Sequence, residues 1–263
     1  MKTILLDIGG TFIKRSDGRQ FPISSDGSRD AIADAIRKAI GPTDGLDGIG
    51  MAIPGPFDYQ RGIFRMEHKF AAVNGEAFRE LAGIPDRIIL RFHHDVNAVL
   101  LGALRMLKLD NAALVTLGTG LGFAYAVNGQ VQYNDKGSPA RSLWNLPCQG
   151  GILEDFASAR GIRIAYARMT GDGFQSAHSV ARKAYAGEAA AQAVYQRMGE
   201  LLGEHLRSLQ EELRFTTLLM GGQVSKSLDL FLGGIREALP GVTIRQAPDG
   251  AVFEGLSSLF EKQ

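Results

Sequence analysis

Met1-Lys2-Thr3-Ile4-Leu5-Leu6-Asp7-Ile8-Gly9-Gly10-Thr11-Phe12-Ile13-Lys14 opens the chain with an apolar run that an acid and a Gly-Gly-Thr turn interrupt before it resumes. Ile4, Leu5 and Leu6 suit a buried strand. The paired glycines tolerate positive φ and let backbone N–H groups approach an anion. Asp7 ends the strand where a metal could be held, Thr11 offers a hydroxyl, and Lys14 returns a positive charge on the second strand. An ordinary Gly-Gly hairpin accounts for the same residues, because short glycine patterns recur without function.

Two further stretches repeat the design. Val115-Thr116-Leu117-Gly118-Thr119-Gly120-Leu121-Gly122-Phe123 is again an apolar strand, a Gly/Thr turn and an apolar strand. Thr217-Leu218-Leu219-Met220-Gly221-Gly222-Gln223-Val224-Ser225 runs a strand into glycines where a helix is expected to begin. Two phosphate-type turns would make a clamp, and the third would let a nucleotide lie close to the backbone.

Outward from these turns, residues 2–23 read as a strand meander and 28–40 as an amphipathic helix stopped by Gly41-Pro42. Ile49 to Ile53 is a short strand ending in the stiff turn Pro54-Gly55-Pro56, 57–70 a return hairpin, and 76–81 a short helix ending at Gly83. A strand over 87–92 then leads to His93-His94-Asp95 and a helix with apolar positions Val96, Val99, Leu100, Ala103, Leu104 and Leu107. Asp95 has two readings at this point, the N-cap of that helix or a catalytic carboxylate.

Residues 112–131 repeat the strand-turn-strand order of the N-terminus, which suggests an internal duplication. A polar loop over 133–149 follows, and a helix is expected to begin in Gly150-Gly151-Ile152-Leu153-Glu154. Helices over 174–187 and 188–215, a strand over 216–220, a helix over 228–239, a strand over 242–245 and a last helix from Ala251 complete an α/β pattern. The expected boundary lies at Lys108-Leu109-Asp110-Asn111, giving domains 1–110 and 111–263, with the last helix a candidate to pack back on the first.

Composition narrows the function classes. Apolar residues at 45% and charged residues at 22% describe a folded chain, and 29 Lys plus Arg nearly cancel 28 Asp plus Glu. Nothing in that balance calls for nucleic acid or an anionic membrane surface. Cys148 is the single cysteine, so no intrachain disulfide forms and a reducing compartment is expected. No apolar run reaches the roughly 20 residues that span a bilayer, and the N-terminus lacks a signal-type pattern, so the expected location is cytoplasmic.

Taken together, Asp7-Ile8-Gly9-Gly10-Thr11, Ile53-Pro54-Gly55-Pro56, Asp95-Val96-Asn97-Ala98, Leu117-Gly118-Thr119-Gly120 and Met220-Gly221-Gly222 resemble, in order and spacing, the ROK sugar kinases of the actin-like, hexokinase-type ATPase superfamily. The resemblance covers nearly the whole chain. It implies two actin-like (ribonuclease H-like) α/β domains about a central cleft. It also implies ATP- and Mg²⁺-dependent phosphoryl transfer to a hydroxyl of a hexose or related sugar. On that reading Gly9, Gly10, Thr11 and Lys14, with Gly118, Thr119 and Gly120, hold the polyphosphate, Gly221 and Gly222 border the adenosine, and Asp7 holds Mg²⁺ through water. Asp95 becomes the general base. Gly55, His68, His94 and Asn97 are sugar-side candidates by position. Glu154 matches the glutamate of the family's Gly-Cys-Leu-Glu segment, which contacts sugar hydroxyls; a first-turn glutamate favoured by the helix dipole is the other reading.

The sugar side also departs from the family. Residues 137–145 lack the usual Glu-x-Gly-His segment and the zinc knuckle that follows it, with Arg141 and Trp144 at the acid and histidine positions. A lone Cys148 cannot build the tetrahedral site that zinc prefers, so no zinc is expected. His94 stands where the family usually has asparagine. Arg141 and Trp144 suit either an acidic or stacked substrate or the packing of a shortened loop. Two alternative classes are a catalytically weakened sugar sensor and an actin-like ATPase without sugar. Family repressors carry an N-terminal helix-turn-helix, whereas this chain starts at the first hairpin, which favours the kinase. The family commonly forms homodimers, and the sequence leaves that open here.

Overall fold

In the computed structural model, which describes residues 1–261, β1 (Thr3–Ile8) buries Ile4, Leu5, Leu6 and Ile8. It turns at residues 9–11 to pair antiparallel with β2 (Phe12–Arg15), which pairs with β3 (Gln20–Pro22). α1 (Arg29–Ile40) follows. Ser28 caps it, its Oγ accepting from the Ala31 N–H at 3.3 Å, a contribution of about 1 kcal/mol. Ile32, Ala33, Ile36, Ala39 and Ile40 form its buried face.

β4 (Gly48–Ile53), buried throughout, lies parallel to β1. The hairpin β5 (Phe57–Asp58) and β6 (Ile63–Phe64) and the short α2 (Phe78–Ala82), ended by Gly83, lead to β7 (Ile89–His94), parallel to β4. α3 (Asp95–Leu107) starts where β7 stops. The resulting sheet has the order β3-β2-β1-β4-β7.

The second sheet repeats that plan. β8 (Ala112–Leu117), β9 (Leu121–Val127) and β10 (Gln130–Val131) form an antiparallel meander, followed by the small hairpin β11 (Pro147–Cys148) and β12 (Gly151–Ile152). The helices are α4 (Ala159–Thr170), α5 (Ala177–Tyr185) and α6 (Ala189–Leu213). β13 (Thr217–Gly221) joins parallel to β8, and after α7 (Leu232–Ala238), β14 (Thr243–Gln246) joins parallel to β13. The order is β10-β9-β8-β13-β14. The apolar stripe of α6, Ala191, Val194, Met198, Leu201, Leu202, Leu206 and Leu209, is buried in this half's core.

The last helix, α8 (Ala251–Ser257), crosses α3. Glycines set how close the two helices come: a methyl group on Gly102 would lie 1.8 Å from the Ala251 carbonyl oxygen, and one on Gly255 2.0 Å from that of Ala98. α6 and α7 cross the same way, with a methyl on Gly199 falling 2.1 Å from the Phe231 carbonyl oxygen.

The chain thus forms two units, one of residues 1–108, 133–139 and 248–261, the other of 109–132 and 140–247. This grouping differs from a single cut at residue 110. Residues 133–139 leave the second unit's run of chain, whereas 248–261 carry α8 onto α3 as expected of the last helix. Two local expectations are corrected. β7 starts two residues later than expected, because the Ile88 N–H is spent on the Pro85 carbonyl at 3.1 Å, so His93 and His94 are strand residues paired with Ala52 and Ile53. No α-helix starts at Gly150; Glu154 sits in one 3₁₀ turn, Leu153–Asp155, before α4.

Candidate active site

Both strand-turn-strand motifs present free backbone donors. In the first, the Gly9 N–H closes the turn on the Phe12 carbonyl at 3.0 Å, and the Gly10 carbonyl accepts from Ser25 N–H at 2.9 Å. In the second, the Gly118 N–H bonds the Gly120 carbonyl at 3.0 Å. Among the described residues, the N–H groups of Gly10 and Thr11 and those of Thr119 and Gly120 have no protein acceptor. Partly exposed unpaired N–H groups in a tight turn are what an anion binds.

Asp7 and Lys14 are register partners across β1 and β2, with Lys14 Nζ 3.2 Å from Asp7 Oδ2. Burial pushes the Asp7 carboxyl above its ordinary 3.8; Lys14 opposes this and the charge of Asp95 adds to it. Lys14 thus pairs with Asp7 while its own side chain stays about half exposed.

Asp95 is the first residue of α3, and the N-cap position belongs to His94. His94 Nδ1 lies 2.8 Å from Asp95 Oδ1 and 3.3 Å from the Val96 N–H nitrogen, which itself lies 2.8 Å from Asp95 Oδ1. A nitrogen cannot donate and accept at once. The shorter contact makes Nδ1–H a donor to Asp95, so Oδ1 holds two donors and Oδ2 none among the described residues. Burial raises the Asp95 pKa. The neighbouring charge and hydrogen bond of His94, the Val96 N–H and Lys69 outweigh that and hold it below 3.8, so Asp95 is ionised at neutral pH. The carboxylate side chain remains 37% exposed.

Tyr59 and Gly55 shape the ground around this pair. The Tyr59 hydroxyl donates to the Ile53 carbonyl at 3.0 Å, and its ring centroid lies 5.9 Å from that of His94. A methyl on Gly55 would meet His94 Nε2 at 3.3 Å and the Tyr59 hydroxyl at 3.4 Å. Asn97, fully buried, donates to the Gly137 carbonyl at 3.4 Å and leaves Oδ1 without a partner. His68 is exposed and makes no hydrogen bond or ion pair among the described residues.

In the second unit, Glu154 Oε2 accepts from the Leu121 N–H at 2.9 Å and lies 2.7 Å from where a methyl on Gly120 would sit. Its first observed duty is to brace the 118–120 turn. Gly221 ends β13; Gly222 has φ +86°, and a methyl there would fall 2.3 Å from the Leu117 carbonyl oxygen. Arg141 pairs with Glu212, both half-exposed, which fits the packing explanation, and Trp144 is 46% exposed. Cys148 is buried, which pushes its thiol up, and among the described residues no group of three or more His, Cys, Asp or Glu is arranged to hold a metal.

Sequence reasoning passed over Tyr59, His93 and Tyr133. The hydroxyl of Tyr133 lies 3.1 Å from His93 Nε2. An aromatic residue standing in an otherwise polar loop was the only available signal.

The ROK family model matches residues 3–254, nearly the whole chain. The chain belongs to the ROK family. A glucokinase of Halalkalibacterium halodurans is 27% identical, over 94% of this chain and 88% of that protein. A ROK family glucokinase from Streptomyces griseus, solved in complex with glucose and AMPPNP, superposes with a TM-score of 0.81 at 21% identity, covering 98% of each chain. A ROK family transcriptional regulator, a homologue of the E. coli MLC protein, superposes with a TM-score of 0.74 at 17% identity, over 98% of this chain and 77% of that one. The duplicated sheet order is thus the actin-like ATPase fold that ROK proteins share. Because a ROK regulator has it too, the activity of this ROK protein has to be argued from its residues.

Proposed function

We propose that this protein transfers the γ-phosphoryl group of ATP to a hydroxyl of a hexose or related sugar, with Asp95 as general base. The observation that carries the reading is the state of Asp95: ionised, one-third exposed, with Oδ1 fixed by His94 Nδ1–H and Val96 N–H and Oδ2 open. A fixed carboxylate with one free oxygen orients an attacking hydroxyl and takes its proton. As the hydroxyl oxygen bonds to the γ-phosphorus, its proton passes to Oδ2, the bond from that phosphorus to the bridging oxygen breaks, and ADP leaves with the electron pair.

The remaining residues position and neutralise. In each unit the free N–H groups of the turn, Gly10 and Thr11 or Thr119 and Gly120, serve as phosphate donors, with Gly221 and Gly222 as the adenosine edge. Mg²⁺ commonly rests on one or two carboxylates plus substrate phosphates, and Asp7, partly exposed with Lys14 on only one of its oxygens, suits that role through water. When bound, the ion spreads the negative charge of the phosphates. Gly55 and His94 are the sugar-side residues of the first unit, and in the second Glu154 keeps Oε1 unpaired for a hydroxyl while Oε2 braces the turn.

Mass spectrometry of sugars incubated with the protein and Mg-ATP tests the reading. One sugar in a panel of hexoses, N-acetylhexosamines, ketoses and sugar acids is expected to gain a phosphoryl group. ATP consumption with every sugar unmodified would contradict the reading.

A further inference from the structure

Residues 133–139 sit, in sequence, between two stretches of the second unit, yet they pack with the first. The segment is tied by hydrogen bonds of its own. Asn134 Oδ1 accepts from the N–H groups of Lys136 and Ser138, and its own N–H bonds the Ser138 carbonyl at 2.9 Å. Its two anchors are polar. Tyr133 bonds His93 Nε2 at 3.1 Å, with ring centroids 5.4 Å apart, and the Gly137 carbonyl accepts from Asn97. Gly137, with φ +77°, also lies so close to Tyr59 that a methyl group would meet its ring at 3.3 Å.

The anchors are costly to keep for stability alone. His93 is 8% exposed and burial lowers its pKa to about 4, so it is neutral. Asn97 is 0% exposed with an orphan Oδ1. The unpaired buried acceptor of Asn97 disfavours folding, and an apolar residue would fill that position without the penalty. Tyr133 is 42% exposed, so its hydroxyl bond rather than its burial holds that end. His93 and Asn97 bracket Asp95, each two residues away, at the junction of β7 and α3.

We infer that residues 133–139 form a strap that His93 and Asn97 fix to the junction carrying Asp95, and that this strap is a specificity-determining element setting which acceptor hydroxyl the base can reach. Tyr133, His93 and Asn97 are then positioning residues. The acceptor half of the inference rests on the kinase reading; the strap itself does not.

Tyr133→Phe removes one hydroxyl from a partly exposed ring and leaves the fold intact. Hydrogen exchange followed by mass spectrometry on the full-length, ligand-free protein is expected to show roughly tenfold faster exchange in 133–139, with residues 112–127 unchanged. Unchanged exchange in 133–139 overturns the strap. With the sugar that the wild type phosphorylates, the variant is expected to raise the sugar KM about five- to tenfold, the scale of one hydrogen bond, with kcat and the ATP KM within about twofold. His93→Gln keeps a partner for the Tyr133 hydroxyl and is expected to recover most of that loss relative to His93→Phe. Faster exchange with an unchanged sugar KM would make the strap structural only and overturn its role in specificity. A wild type that phosphorylates no sugar would fail the kinase reading and the acceptor role with it, while the exchange experiment would still decide whether the strap exists.

Discussion

The two units share a sheet order, a glycine-mediated helix crossing and a turn with two free N–H groups, yet they differ in what they do with them. The first unit places ionisable side chains at the ends of its strands: Asp7 and Lys14 at the turn, His94 and Asp95 after β7. The second places close backbone there, with Gly222 against the Leu117 carbonyl, and one carboxylate, Glu154, against the turn at Gly120. A duplicated scaffold has specialised by side chain in one copy and by backbone shape in the other. Altering the second unit should cost stability, and altering the first should cost chemistry.

The sharpest way to break that contrast is Gly222→Ala. The alanine would have to hold a left-handed φ and fit a methyl 2.3 Å from the Leu117 carbonyl oxygen, so β13 must shift relative to β8. A loss of roughly 3 kcal/mol or more in urea unfolding is expected. A loss below about 1 kcal/mol would mean the glycine is not structurally required, and the backbone account of this unit would fail.

Asp7→Asn should do the opposite in the first unit. A carboxyl whose pKa rises on folding costs stability wherever it is ionised. The cost is absent below its ordinary 3.8, grows as pH rises above that value, and is complete once pH exceeds the folded pKa. At pH 7 the variant is therefore expected to melt higher, on the order of 2 °C, with the gain vanishing in acid, while turnover with Mg-ATP falls. A lower melting temperature at pH 7 would show that the Lys14 pair outweighs the burial of the carboxylate.

Much of this was legible in the sequence for physical reasons. Alternating apolar strands broken by glycines announced both meanders, and the spacing of Val96, Leu100, Ala103 and Leu104 placed α3. Asp95 was legible as a candidate because chemistry and local structure coincide at a strand-to-helix junction. Long-range pairs were not: Arg141 meets Glu212 and His93 meets Tyr133 across 71 and 40 residues, separations that no local pattern encodes. The N-cap position of α3 falls on His94 rather than Asp95, because β7 runs two residues further than its apolar pattern indicated. The 150–159 stretch read as helix from its apolar content, but its paired glycines turn the chain through β11 and β12 first.

Whether Asp95 is the base of a sugar kinase is decided by ADP release from Mg-ATP, measured with the sugar panel for wild type and Asp95→Asn side by side. Sugar-dependent release by the wild type is expected, with a loss of kcat of about 10²- to 10⁴-fold in the variant and folding intact. Near-normal turnover by Asp95→Asn, or ADP release that no sugar accelerates, would contradict that assignment.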